Sequence, residues 1–392
     1  MGHTPASLHE ARARSLARIQ RHHRALGAQF PTTGEGTRYR LGANDNWLAG
    51  FWAGLLWLAY AATGRADLRA HAEALLPSFA RRLEQRVHIT HDLGFLYTLS
   101  ARAQWQLAGD GAARDLALRA AADLLQRYRP AGGYVQAWGP LGDPDEGGRA
   151  IIDTMMNLPL LFWAGRETGD PAYTQAAACH ADTSRHYLLR SDGASYHTFF
   201  FDQATGEPLG PRTHQGYADD SLWARGQGWA IYGFALAAEW TGEVEHLEAA
   251  RRAARRFLAE LPPEGVPTWD LRLPGDAPRY PDSSAGAIAA GGLLRLARLA
   301  GDEGGTEFRA AALRLLEALV AGCLEDEPEG QGLLRHGTYH AHKGLGVDAY
   351  FICGDYFFLE ALLGVERGGG PGTGLAPADP AAVDFWGRGD LS

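Results

Sequence analysis

The sequence predicts an all-α protein of the (α/α)6 toroid type, in which six helical hairpins close into a ring of inner helices sheathed by outer ones. Two observations predict it. Helical segments with a single apolar stripe alternate along the chain with helical segments that are apolar on nearly every side. There are six of each kind, and a striped one comes first. A striped helix turns one face to the core and the other to water, whereas a helix apolar all round has to be buried.

The first striped segment, 7–26, is rich in Ala, Leu and Arg and leads to the first buried one, NWLAGFWAGLLWLAY (46–60). The second pair is 67–85 with HDLGFLYTLSARAQWQLA (91–108), and the third is 110–129 with IIDTMMNLPLLFWAG (151–165). Next come 170–188 with LWARGQGWAIYGFALAAEW (222–240), and 244–261 with SSAGAIAAGGLLRLARLA (283–300). The last pair is 306–323 with CGDYFFLEALLGV (353–365). In such a ring the inner helices run parallel to one another and the outer ones antiparallel to them. Their starts are irregularly spaced, so the repeat is structural and not one of sequence. Strand signals are thin, and stretches around 134–138 and 196–202 fit short hairpins in loops on the open face. From residue 366 the chain turns Gly-, Pro- and Ala-rich and reads as a poorly ordered tail, leaving 1–365 as a single domain. Its GGGPGTG is no phosphate loop, because no strand precedes it and no helix follows.

Composition narrows the function. The 392 residues carry 37 basic and 46 acidic side chains, a net charge of −9, which disfavours nucleic acid as the main partner. Cys179, Cys323 and Cys353 lie far apart without CxxC spacing, so they offer no zinc site and suit a reducing, cytoplasmic setting. No uncharged apolar run of about 20 residues occurs, so no membrane partner is expected. Lys343 is the sole lysine, which reflects a bias toward Arg. The 11 Trp residues supply flat apolar faces of the kind that stack on sugar rings.

An Asp stands at or just before the start of each inner helix: Asp45, Asp92, Asp153, the pair Asp219 and Asp220, Asp282 and Asp355. Asp is a favoured N-cap, which explains any one of these positions. Six at one end of a ring of parallel helices would also line a bowl with carboxylates and positive dipole ends, suited to proton transfer and to holding an anion. Trp47, Trp52, His91, Trp138, His197, Gln215, Trp223, Arg225 and Trp229 lie near the same starts or in the loops leading into them. Arg225, within an apolar segment, needs a salt bridge to Asp219 or Asp220, or an anionic ligand. His197 suits a buried core position as well as a ligand contact. No metal or other cofactor is expected. His340 and His342 form an HxH without a third ligand, HExxH and GxSxG are missing, and the acidic loop 142–148 has too few spaced ligands for calcium.

HDLGF (91–95), IIDTMMNLPLL (151–161), QGYADDSLWARGQGWAIYGFAL (215–236), PDSSAGAIAAGGLLRLA (281–297) and GDYFFLEAL (354–362) together resemble the unsaturated glucuronyl hydrolases of glycoside hydrolase family 88. The resemblance runs in order from about residue 40 to about 365. It implies the same toroid, and a substrate oligosaccharide with a 4,5-unsaturated uronic acid at its non-reducing end, as polysaccharide lyases leave. It implies Asp153 as catalytic acid/base and Asp92 as the second essential carboxylate. His197, Gln215, Arg225 and Trp229 would contact the unsaturated sugar, with Trp47, His91, Trp138 and Trp223 as further walls. Thr154 and Leu222 stand where the family pattern has Cys. The segment 336–348 would face the second sugar.

The chemistry suits the residues. A 4,5-unsaturated uronate is a vinyl ether, so an acid can protonate C4 and leave an oxocarbenium-like centre at C5. Water adds there, and the resulting hemiketal opens and expels the rest of the sugar. The acid must start protonated, and burial beside a second carboxylate raises its pKa. Three other readings compete. Unsaturated rhamnogalacturonyl hydrolases share the fold and chemistry, but HDLGF speaks against them. A sugar epimerase needs paired His bases, for which only His91 and His197 are placed. A non-catalytic oligosaccharide-binding protein would use the Asp residues as caps alone.

Overall fold

The computed structural model describes residues 4–365 and 383–388, and among them six helix pairs follow one another in the predicted order. Outer α1 (Ala6–Leu26) precedes inner α2 (Ala49–Thr63). The pairs continue as α3 (Ala66–Glu84) and α4 (93–108), α5 (Gly111–Leu125) and α6 (Leu158–Thr168), and α7 (Pro171–Thr183) and α8 (Ala224–Thr241). They end with α9 (Val244–Glu260) and α10 (Ser283–Leu299), and α11 (Gly301–Gly322) and α12 (Ile352–Gly364). Burial separates the two layers. Every residue of α12 is buried, as is the run from Ala224 to Ala238 in α8. In α9 only His246, Ala249, Ala250, Ala253, Ala254 and Phe257 are buried, a single stripe at helical spacing. Each inner helix packs on the next, and α12 packs back on α2 to close the ring.

Local chemistry sets the hairpins. Gly64 and Gly109, at φ 68° and 67°, donate to the carbonyls of Tyr60 and Trp105 and end α2 and α4 in the left-handed conformation that glycine adopts most readily. Asp110 and Asp170 then accept backbone N–H groups at the starts of the outer helices α5 and α7. Two inner segments depart from regular α-helix. A π-helical turn spans Thr98–Arg102 within α4, and a 3-10 turn, Ile152–Met156, precedes α6.

The short strands lie in the connections. β1 (Phe30–Glu35) pairs with β2 (Arg38–Gly42), and β3 (Tyr128–Arg129) with β4 (Tyr134–Val135). β5 (Arg149–Ile151), β6 (Thr198–Phe201) and β7 (Pro208–Arg212) form an antiparallel sheet with β6 in the middle. The β1–β2 hairpin has no counterpart in the sequence reading. Gly34 N–H bonds to Tyr350 O and Thr33 bridges Phe351, so a partner more than 300 residues away helps fix these strands. Among the described residues no helix is long and apolar enough to cross a membrane.

The expectation of a poorly ordered tail fails for 383–388. Val383, Phe385 and Trp386 are buried, and Trp386 is wholly so. The small-residue composition of the tail conceals three apolar side chains with a place to fill. The remainder of that expectation, at 366–382 and 389–392, lies outside the described residues.

Candidate active site

Where α4 and the 3-10 turn before α6 begin, the loops leading into α2, α8 and α12 enclose a cavity of about 240 Å3. Trp47, His91, Asp92, Trp138, Ile151, Asp153, His214, Gln215, Tyr339, His340, Lys343 and Leu345 line it. Of the residues singled out in the sequence, Trp47, His91, Asp92, Trp138, Asp153 and Gln215 are therefore brought together. His197 stands beside Asp153, with Nε2 3.8 Å from Oδ2. Trp223, Arg225 and Trp229 lie behind this surface, each 4% exposed or less. Trp52 is buried against His71 of the outer layer and plays no part here.

Strand pairing delivers Asp153 and His197 together. Ile151 of β5 pairs with Thr198 of β6, and Ile152 N–H bonds to His197 O, so the next residue on one strand faces the last before the other. Burial pushes the Asp153 carboxyl up to about 7. Arg225 pulls it down, the Asp92 charge pushes it up, and its backbone contact and the Trp229 indole lower it somewhat. Asp153 Oδ2, His197 Nε2 and Trp229 Nε1 have no hydrogen-bond partner of ordinary length. The indole acts on the carboxyl from nearby without closing a bond.

Asp92 is held by its neighbours. Thr90 Oγ1 donates to Asp92 Oδ2 at 2.9 Å, and His91 Nε2 lies 3.4 Å from Oδ1. Asn157 Nδ2 donates to His91 Nδ1 at 3.3 Å, which puts the imidazole hydrogen on Nε2, facing Asp92. Thr154 Oγ1 also reaches His91 Nδ1, at 2.9 Å. Asn157 further accepts the Phe95 N–H, joining the starts of α4 and α6. On the other wall, Gln215 Nε2 donates to Tyr339 O, and Trp223 lies 4.3 Å from the His197 ring, centroid to centroid.

Arg225 does not pair with Asp219 or Asp220. Its Nη1 donates to Asp282 Oδ2 at 3.0 Å and to Thr338 O, and its Nη2 to Tyr339 O. Asp219 accepts instead from Thr213 N–H. The sequence spacing favoured a neighbour on the same segment, but Asp282 sits at the start of the adjacent inner helix, which only the closed ring reveals. Capping likewise explains less than expected. Asp282 accepts the Ser284 N–H, yet Asp92 and Asp153 make no side-chain cap. Asp355 accepts from Tyr39 and from Leu333 and Leu334, in other parts of the chain. Asp45, Asp219 and Asp220 are exposed.

Sequence reasoning missed three features. His214 lines the cavity with no apolar or motif context to mark it. Lys343, the chain's sole lysine, is the one Lys or Arg on the described cavity wall. Arg127, buried at the end of α5, donates to the carbonyls of Gln136, Ala137, Trp138 and Gly139 on one loop and of Ile89 on another. It thereby clamps together the two loops that carry Trp138 and His91–Asp92. Five carbonyls replace the acidic partner that a buried Arg usually needs, and burial lowers its pKa to about 10.

A carboxyl that titrates near neutral pH in a walled cavity, next to a second carboxylate, can both give and take a proton. Comparison with known proteins bears on the same chemistry. An unsaturated glucuronyl hydrolase of Bacillus sp. (strain GL1) is 47% identical over 360 residues, covering 90% of this chain and 95% of that protein. An unsaturated chondroitin disaccharide hydrolase of Streptococcus pyogenes serotype M1 is 41% identical, covering 85% of each chain. The crystal structure of the Bacillus sp. GL1 unsaturated glucuronyl hydrolase superposes with a TM-score of 0.89, covering 92% of this chain and 97% of that one. The model of Glycosyl Hydrolase Family 88 matches residues 22–358, and with 337 of 392 residues inside that match the chain belongs to glycoside hydrolase family 88.

Proposed function

We propose that this protein is an unsaturated glucuronyl hydrolase. It releases 4,5-unsaturated glucuronic acid from the non-reducing end of lyase-generated oligosaccharides by hydrating the C4=C5 bond. The observation that carries the reading is Asp153, a buried carboxyl on the cavity wall raised to about 7 by burial and by Asp92, with Oδ2 free of any hydrogen bond. At neutral pH a good share of it holds a proton to give to C4, and once ionised it can take one from the water that attacks C5.

Trp47 and Trp138 wall the cavity as flat faces for the planar unsaturated ring. Lys343 supplies a positive charge on the same wall for a substrate that carries a carboxylate. Arg225 serves Asp282 and the loop carbonyls, so its part is to hold the 338–339 backbone and to temper the Asp153 pKa. A cytoplasmic location is supported by three free cysteines, two of them buried. The test is a panel of unsaturated disaccharides from polysaccharide lyases. Loss of the ultraviolet absorbance of the conjugated double bond reports turnover, and no loss with any member sinks the reading.

A further inference from the structure

Six residues near the C-terminus lie outside the family match at 22–358, yet they fill the ring from the end opposite the cavity. The hydrogen bonds and ion pairs that hold them come from the C-terminal halves of the inner helices. Arg102 Nη2 of α4 donates to Gly387 O at 2.9 Å, and Arg102 also bonds Phe385 O. Arg166 of α6 bonds Arg388 O. Trp240 Nε1 of α8 donates to Trp386 O at 2.9 Å. Arg295 of α10 pairs with Asp384 at 2.5 Å, and Glu360 of α12 accepts the Trp386 indole N–H at 2.7 Å. Glu360 also accepts from Tyr232 and Tyr356, so a buried carboxylate is satisfied by three donors, one of which the C-terminal segment brings.

The Trp386 ring reaches toward the cavity through two aromatic contacts. It stacks on Phe357, with planes 12° apart and centroids 6.0 Å apart, and meets Phe95 edge-on at 6.0 Å. Phe357 and Phe95 both pack on Trp229, at 5.3 and 5.4 Å, and Phe95 also packs on Trp47. Trp229 in turn acts on the Asp153 carboxyl. A close-packed interior transmits a shift of this kind, because a void leaves the lining side chains without partners.

We infer that Val383–Arg388 is a plug built into the active centre, and that Trp386 is a positioning residue that fixes Trp229 beneath Asp153 and keeps water out from below. The inference rests on the reading that Asp153 carries the chemistry, which the wild-type enzyme's turnover of an unsaturated disaccharide tests separately. The experiment compares Trp386→Phe, Trp386→Leu and Trp386→Ala in the full-length chain, measuring kcat, KM and the pH profile of kcat for soluble, folded enzyme. Loss of the ring admits water toward Trp229 and lessens the burial that raises Asp153. The limb of the profile that falls at high pH then moves to lower pH, and kcat drops about tenfold or more for Ala, since small displacements at a reacting centre cost that much. Phe should keep most of both, and Leu should fall between.

A part confined to stability would lower Tm and the yield of enzyme while leaving the pH profile and kcat of the folded fraction as in wild type. That result in either Leu or Ala overturns the inference. Where neither folds, Glu360→Gln, which loosens the indole's anchor with almost no change of volume, is measured for the same two quantities. An unchanged profile and kcat there overturn it as well.

Discussion

His197 presents Nε2 to Asp153 Oδ2 at 3.8 Å while its Nδ1 accepts the backbone N–H groups of His214 and Gln215, each at 3.1 Å. Two donors on Nδ1 fix the tautomer with hydrogen on Nε2. Burial, and then the charges of nearby His and Arg residues, oppose a second proton and hold the His197 pKa well below its ordinary value. His197 therefore stands beside Asp153 as a neutral ring and not as a cation. A cation there would drag the Asp153 pKa down and take away its proton at neutral pH.

Asp153→Asn should abolish turnover and leave the fold intact. Asn is nearly isosteric with Asp and Asp153 caps no helix with its side chain, so the loss of activity reports on proton transfer alone. The carboxyl is raised from 3.8 to about 7 in the folded protein. The folded state thus binds this proton more tightly than the unfolded chain does, and the contribution to stability falls as pH rises through that interval. The Asn variant lacks this term, so its Tm at pH 8 should exceed that of wild type. Near-wild-type kcat in the variant would remove Asp153 from the mechanism.

The pH profile of kcat should fall on its alkaline side with an apparent pKa near that of Asp153, about 7. Asp92→Asn removes a charge that raises this value, so the falling limb should move to lower pH. The variant also loses the anchor for Thr90 and the partner of His91, and its kcat should drop. A limb that stays in place would show that Asp92 does not tune Asp153.

Much of this site could be read from the sequence, and the rest could not, for a definable reason. The alternation of buried and striped helices follows from side-chain periodicity, which is local, so the ring and the starts of its inner helices were legible. The placing of Asp92 beside Asp153 followed from those starts. The Arg225–Asp282 pair, the five-carbonyl clamp of Arg127 and the return of Trp386 join segments 57 residues apart or lie in loops and tail without periodicity. Such partners depend on ring closure and leave no local signal.

Arg225→Met should destabilise the protein before it alters recognition. It strands Asp282, wholly buried, without its cation, and removing one partner of a buried pair costs about 3–5 kcal/mol. The double variant Arg225→Met with Asp282→Asn should recover part of the loss in Tm. Arg225 also lowers the Asp153 pKa, so the alkaline limb of kcat in the folded variant should shift to higher pH. Unchanged stability together with a large rise in KM would instead put the guanidinium on the substrate.

Bond cleavage should proceed by hydration of the double bond and not by attack at the anomeric carbon. An inverting glycosidase needs a base that activates water across the sugar ring from its acid, and a retaining one needs a nucleophile that forms a glycosyl intermediate. Here one carboxyl is tuned for proton exchange at neutral pH, while Asp92 is engaged by Thr90 and His91 and acts on it through charge. Hydration needs only the one acid/base. Its proton goes to C4, water adds at C5 and returns a proton to the same carboxylate, and the glycosidic bond breaks when the hemiketal opens. Turnover in D2O should place one deuterium at C4 of the released uronate, and heavy-oxygen water should label C5. Release of an intact 4,5-unsaturated monosaccharide without deuterium at C4 would mean that the anomeric bond is cut directly, and Asp92 would then have to be the nucleophile or the base.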